Sequence, residues 1–322
     1  MIAIRPFTES DFPAIVRVFN ACEPDSLWSE EDARHRDSTW DTSRYVRLRH
    51  VAELDGRVVG YGQISHHIYA FHPQKFTIHV MVESDSRHRG AGTALYEKLL
   101  VDLRARNAIL VRCDLSQERT ETLDFIAKRG FFEVARYWES RLDIARFEFA
   151  RMAAAEQRAV LVGVTIMPVA VQKARHADWA QRIHALHGAC SADEPQLDPP
   201  MMPEFENWLP RNVGSPFFLA DASSLAIDTA RDDAYVGMSL LYKSASPDVL
   251  RQAFTGVRRD YRGRGLVELP GFGGHLSTSW HSAAEPREES IYGSTGNSGG
   301  VSRLEQRESE APRRAHPTAL CA

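Results

Sequence analysis

"VMVESDSRHRGAGTALYEKLL", Val80 to Leu100, changes its period part-way through, and that change decides the fold. Val80–Val82 close the run "KFTIHVMV" from Lys75, whose β-branched and aromatic residues read as a central strand. From Gly92 onward Leu95, Leu99 and Leu103 recur at i, i+4 and i+8, the single apolar stripe of an amphipathic helix. Between them stands Arg87-His88-Arg89-Gly90-Ala91-Gly92, of the form R-x-x-G-x-G. Glycine permits the left-handed backbone that brings amides close to an anion. The following helix aims its unpaired N–H groups and positive dipole end at the same point, and the arginines add charge. Such a string alone is weak evidence; a strand before it and a helix after it give it weight.

Working outward, "IAIRPF" is a first strand, and Thr8 with Asp11 opens a helix as a capping box. A second helix begins near Ser29. "YVRLRHVAELDGRVVGYGQIS" reads as a hairpin turning at Asp55-Gly56. Beyond the loop helix come the strand "AILVRCDLS", the helix "ERTETLDFIAKRG" ending on Gly130, and a final strand pair in "FFEVARYWESRLDI". The pattern then restarts: a linking helix in "AAAEQRAV", the strand "VGVTIMPV", helices through "QKARHADWAQRIHALHGAC" and "PEFENWLPRN", a hairpin in "SLAIDTARDDAYVGMSLLY", and "LRQAFTGV" leading into "RRDYRGRGL". The expected units are 1–149 complete, 150–161 a linking helix, 162–266 a partial repeat and 267–322 an irregular tail.

The loop, its helix and "KRGF" in that order resemble the GCN5-related N-acetyltransferase (GNAT) superfamily, most closely its bacterial tandem type, which includes mycothiol synthase. The resemblance covers all of the first unit, and in the second "VGMSLLY" and "TGVRRDYRGRGL". It implies an α/β fold with a mixed, mostly antiparallel central sheet flanked by helices, duplicated in tandem. A dinucleotide fold wants its glycine loop after the first strand, not the fourth. The resemblance also implies acetyl-CoA as cosubstrate, with its pyrophosphate on Arg87, His88, Arg89, Gly90, Ala91, Gly92 and Thr93. The pantetheine arm would pair with the backbone of Met81, Val82 and Glu83. The acetyl group would pass directly to a small-molecule or peptide amine, with a general base and a general acid. The family's tyrosine acid aligns on Ile126 here, so Tyr137 on the next strand is the candidate substitute. Glu83 is the candidate base. His79, on the same strand face, reads as a face or core histidine instead. The lost tyrosine also motivates a reading from another class, an acetyl-CoA-binding or scaffold protein with little catalysis.

The second turn sets Arg262 to Val267 against Arg87 to Gly92. Arg262 and Gly265 match, but Val267 stands where the loop needs a small residue, and Pro270 with three glycines follows instead of a helix. Either a degenerate half or a reading-frame shift after Gly265 would account for this.

Composition narrows the alternatives. At 322 residues, 43% hydrophobic, 25% charged and net −4, the chain carries no basic footprint for nucleic acid. No apolar run reaches the roughly 18 residues of a spanning helix, so no membrane partner is expected. Four scattered cysteines fit a reducing cytoplasm and argue against a disulfide frame or zinc ribbon. His184, His187 and Cys190 share a helix face but lack a fourth ligand, so no metal is expected. "EPDSLWSEED", with Trp28, and "SHHIYAFH" are candidates for the acceptor pocket, and "ADEPQLDPPMMPEF" is expected to be an ordered loop in the corresponding place. An unfinished sheet edge in the second unit leaves self-association open.

Overall fold

The computed structural model describes residues 1–138, 141–143, 163–194, 196–264, 266 and 300–307. The first unit is built on β1 (Ile2–Pro6), β2 (Arg47–Leu54), β3 (Arg57–Ser65), β4 (Lys75–Val82), β5 (Leu110–Ser116) and β6 (Phe132–Trp138). Its helices are α1 (Phe12–Cys22), α2 (Glu30–Ser38), α3 (Ala91–Arg104) and α4 (Thr120–Ala127). Asp55 (φ 53°) and Gly56 (φ 81°) turn the β2–β3 hairpin through two left-handed residues, as the Asp-Gly pair predicts. Thr8 and Asp11 form the expected capping box, and Ser29 Oγ accepts from Asp32 N at 3.0 Å to start α2.

Helices cover both faces of this sheet. α1 buries Ile15, Val18 and Phe19 against Val51, Val58 and Tyr61. On the other face α3 buries Leu95, Leu99 and Leu103, the stripe read from the sequence. α3 sits close because β3 carries Gly62 beneath it: a Cβ there would lie 2.8 Å from Leu99 Cδ1.

The second unit contains β7 (Val164–Pro168), α5 (Val169–Arg175), α6 (Trp179–Ser191), the short α7 (Phe205–Trp208), β8 (Ser224–Asp228), β9 (Ala234–Lys243) and β10 (Leu250–Val257). Its sheet runs β10-β9-β8-β7, all antiparallel, which repeats the β4-β3-β2-β1 half of the first. The two turns match atom for atom at one contact. Arg87 Nε donates to the Val82 carbonyl at 3.2 Å, and Arg262 Nε donates to the Val257 carbonyl at 2.9 Å. Gly263 (φ 72°) takes the left-handed place of His88 (φ 57°). The linking helix expected at 150–161 lies outside the described residues, as does most of the segment after the second turn.

Two expectations are corrected. Among the described residues of 131–144 only one strand of the expected final pair occurs, β6, and Arg141–Asp143 lie outside any strand. The tail 267–322 is not irregular throughout, because Gly300–Arg307 forms a strand, β11. It inserts antiparallel between β5 and β6, giving the order β1-β2-β3-β4-β5-β11-β6. The physical reason is that β5 and β6 each present an unpaired edge, and a backbone ladder accepts a strand of almost any polarity. "GVSRLEQR" has no apolar alternation that would announce it.

Candidate active site

Strands β4 and β5 run parallel and pair only at Lys75–Leu110, Phe76–Val111 and Thr77–Arg112. Beyond Thr77 they part, although β4 continues to Val82 and stays in register with β3. The gap opens toward the glycine loop. There Gly90 holds φ 94°, a conformation that an L side chain resists, and serves as the N-cap of α3 with no side-chain cap. His88, Arg89 and Gly90 are exposed, and the first amides of α3 lack intrahelical acceptors. Arg129, from the "KRGF" stretch, reaches Thr93 Oγ1 at 3.1 Å and adds a cation to this helix start that motif reading had not assigned.

Backbone direction refines the expected pantetheine contacts. The Glu83 amide donates to Val59 O at 3.0 Å, so by strand alternation Glu83 and Met81 serve β3. The groups facing the gap are those of Val80 and Val82. The Val82 carbonyl already accepts from Arg87, and Cys22 Sγ lies 3.5 Å from it. Burial raises the Cys22 thiol pKa, partly offset by Arg87.

Glu83 is not a free carboxylate. It is buried, with Oε1 2.8 Å from Arg17 Nε and Oε2 2.7 Å from Arg57 Nη2. Two guanidinium groups occupy both of its oxygens, and it is not among the residues lining the cavity beside the gap. These ion pairs fasten α1 and β3 to the end of β4, an arrangement that does not favour the base role expected of Glu83.

A cavity of about 440 Å³ lies on the α1–α2 face of the sheet beside the gap. Thr77, His79 and Met81 alternate along its β4 wall, Arg112 and Asp114 stand on β5, and Trp28 closes it from the loop before α2. Trp28 stacks on Phe19 with ring centroids 3.9 Å apart. Burial lowers the His79 pKa, with Asp114 opposing, so the imidazole is neutral at neutral pH. Of the two expected readings, face or core, His79 takes the face, on the cavity wall. His66 and His67 also line the cavity; His66 Nδ1 accepts from Val46 N at 3.1 Å and its ring stacks on Phe76, a packing role.

The second unit roofs this cavity with Gln196, Leu197, Asp198 and Arg211. Asp198 pairs with Lys75 and Arg112; burial would raise its pKa, but these two cations hold it low. Met201 N donates to Tyr69 O at 2.8 Å, which anchors the proline-rich loop expected to be ordered. Tyr137 pairs in register with Val301, and Val301 with Ser116, so it stands in the row of Ser116 on the Asp114 face. Ile126 is buried in the core, where it offers no proton.

His184 Nε2 meets Pro203 O at 2.8 Å, and His187 Nδ1 accepts from Trp208 Nε1 at 3.1 Å. Burial lowers His187 to about 4. No cluster of metal-ligating side chains occurs among the described residues.

Residues 12–131, which contain the glycine loop and the parted strands, match the family model described as Acetyltransferase (GNAT) family. The first unit thus carries a match to the GNAT family. Solved structures share the wider architecture. A GCN5-related N-acetyltransferase from Sphaerobacter thermophilus aligns at 17% identity over 95% of each chain, with a TM-score of 0.58. A tandem GNAT protein from the clavulanic acid biosynthesis pathway aligns at 16% identity over 84% of each chain, with a TM-score of 0.60. A fungal GCN5-related glucosamine N-acetyltransferase region, within a multi-domain GH3 β-N-acetylglucosaminidase, aligns at 12% identity over 83% of this chain and 32% of that one, with a TM-score of 0.54. At these identities the likeness is one of fold. Comparison with curated proteins gives no match. No described helix is long and apolar enough to cross a membrane.

Proposed function

We propose that the GNAT domain transfers an acetyl group from acetyl-CoA to a small amine held in the 440 Å³ cavity. The observation that carries this is the juxtaposition of three features: parted parallel strands, an uncapped helix start at a left-handed glycine, and a cavity on the adjoining sheet face. Arg87 to Thr93, joined by Arg129, would hold the pyrophosphate, because amides, dipole and guanidinium groups converge there. Val80 and Val82 would present backbone groups to the pantetheine arm. Such a volume suits a small molecule or one side chain.

His79 is the group we assign as base. It lies on the cavity wall beside the gap and is kept neutral by burial, ready to accept an ammonium proton directly or through water. The amine nitrogen then bonds to the carbonyl carbon, the carbon–sulfur bond breaks, and the departing thiolate takes a proton. Tyr137 is the proposed donor, from its register position on the same face.

Thiol release from acetyl-CoA over a panel of small amines tests this reading. We expect turnover with at least one amine, and His79→Gln to lower kcat about 100-fold. The acid limb of the pH profile should lie below the ordinary histidine value, since the base works only when neutral and its pKa is depressed. Tight acetyl-CoA binding without turnover on any amine would leave the binding-protein reading instead. Unchanged acetyl-CoA affinity in Gly90→Val would refute the pyrophosphate site.

A further inference from the structure

A second cavity, about 320 Å³, lies between the outer side of α2 and strands β9 and β10. Arg36, Arg211 and Arg251 line it together with one carboxylate, Asp32. Asp32 is committed to Arg36, whose Nε lies 3.1 Å from both its oxygens. Arg211 and Arg251 have no carboxylate within 4 Å among the described residues. Burial lowers the pKa of both, and the like charge of Arg36 adds to the shift. Buried charge without a counterion is costly and is normally paired.

Hydrogen bonding points the same way. Six buried side-chain polar atoms lack a partner among the described residues, and half of them line this one cavity: Tyr242 Oη, Arg251 Nε and Gln252 Oε1. Arg251 and Tyr242 are register partners across β10 and β9, so they share a face. A β-bulge follows at once, between Gln252 and Phe254, and it turns Gln252 relative to its neighbours. The corresponding β3–β4 ladder has no register shift, so the feature is not a copy of the first unit's site. Gln252 Nε2 sits beside the hydroxyls of Ser239 and Thr255. With its amide turned over, the oxygen would accept from those hydroxyls and the NH₂ would face the cavity.

We propose that this interface cavity binds a phosphoryl dianion, clasped by Arg36, Arg211 and Arg251 with Tyr242 and Gln252 as further donors. Guanidinium groups match phosphate oxygens by geometry as well as charge. The dianion neutralises the excess charge and satisfies the orphan donors together. Because Arg36 and Arg211 also line the acceptor cavity, the ligand would steady the wall between the two.

The test uses the full chain in low-salt buffer, titrated with inorganic phosphate and, separately, with glycerol 3-phosphate. Calorimetry and thermal unfolding are read together. We expect saturable binding of at least one probe and a Tm increase of about 4 °C at a hundredfold excess over Kd. A tenfold tighter ester would assign the remaining volume to an organic body; equal affinities would assign the site to free phosphate. Arg251→Gln should weaken binding at least tenfold, and Arg251→Lys should recover part of it. Arg251→Met should leave the Tm of the unliganded chain equal or higher while abolishing the response, which a purely structural arginine would not do. Gly90→Val should respond like the parent. Absence of binding by both probes, or a response retained in Arg251→Gln and lost in Gly90→Val, would overturn the proposal.

Discussion

Asp11 shows how a single side chain can serve the fold and set its acid tolerance. Its carboxylate caps the helix start, accepting from Thr8 N at 2.8 Å, and takes two bonds of 2.7 Å from Arg5. The Arg5 hydrogen bonds, ahead of the opposing effect of burial, lower its pKa to about 2. A depressed carboxylate contributes stability that is complete above the unfolded value of about 4 and is lost as pH falls through the folded value. Asp11→Asn should therefore cost about 2 kcal/mol at pH 7, less some screening at the partly exposed Arg5, and the difference from the parent should shrink below about pH 4 and vanish only below about pH 2. Urea unfolding at several pH values checks this. The Thr8–Asp11 cap was legible because it is a local motif. The fate of Glu83 was not: Arg17 and Arg57, which claim it, are 66 and 26 positions away.

Among the elements, β3 is set by two glycines with different demands. At Gly60 a Cβ would lie 2.6 Å from the Met81 carbonyl oxygen, part of a paired backbone. At Gly62 it would meet the end of the Leu99 side chain at 2.8 Å. Side-chain ends yield more readily than a ladder does. Gly60→Ala should thus destabilise more than Gly62→Ala, which we expect to cost about 1–3 kcal/mol. Chemical denaturation midpoints of the two variants will show whether that order holds. The elements themselves were readable from period and punctuation: the β2–β3 turn, the stripe on α3 and the glycine loop all fall where the sequence places them. The parting of β4 from β5 was not readable from period, because β4 remains a regular strand throughout and only its neighbour changes.

For the whole molecule, distant segments act on the first unit in two ways: the second unit's loop at 196–198 roofs the 440 Å³ cavity, and β11 from the tail fills the slot between β5 and β6. Deleting residues 300–307 should leave two open strand edges, lowering the Tm by several degrees and promoting aggregation. Light scattering during a thermal scan reads both effects; an unchanged Tm would mean that β11 contributes little. By itself the sequence determined the duplicated α/β architecture, the glycine loop and the helices and hairpins around it. Each of these rests on interactions within a few residues or on an apolar period, and both are written locally. Only the tertiary structure decided which carboxylate is committed, which histidine reaches the cavity and which distant segment completes the sheet. Those outcomes depend on pairing between groups far apart in the chain, where backbone ladders and ion pairs accept many sequences and leave no local signature.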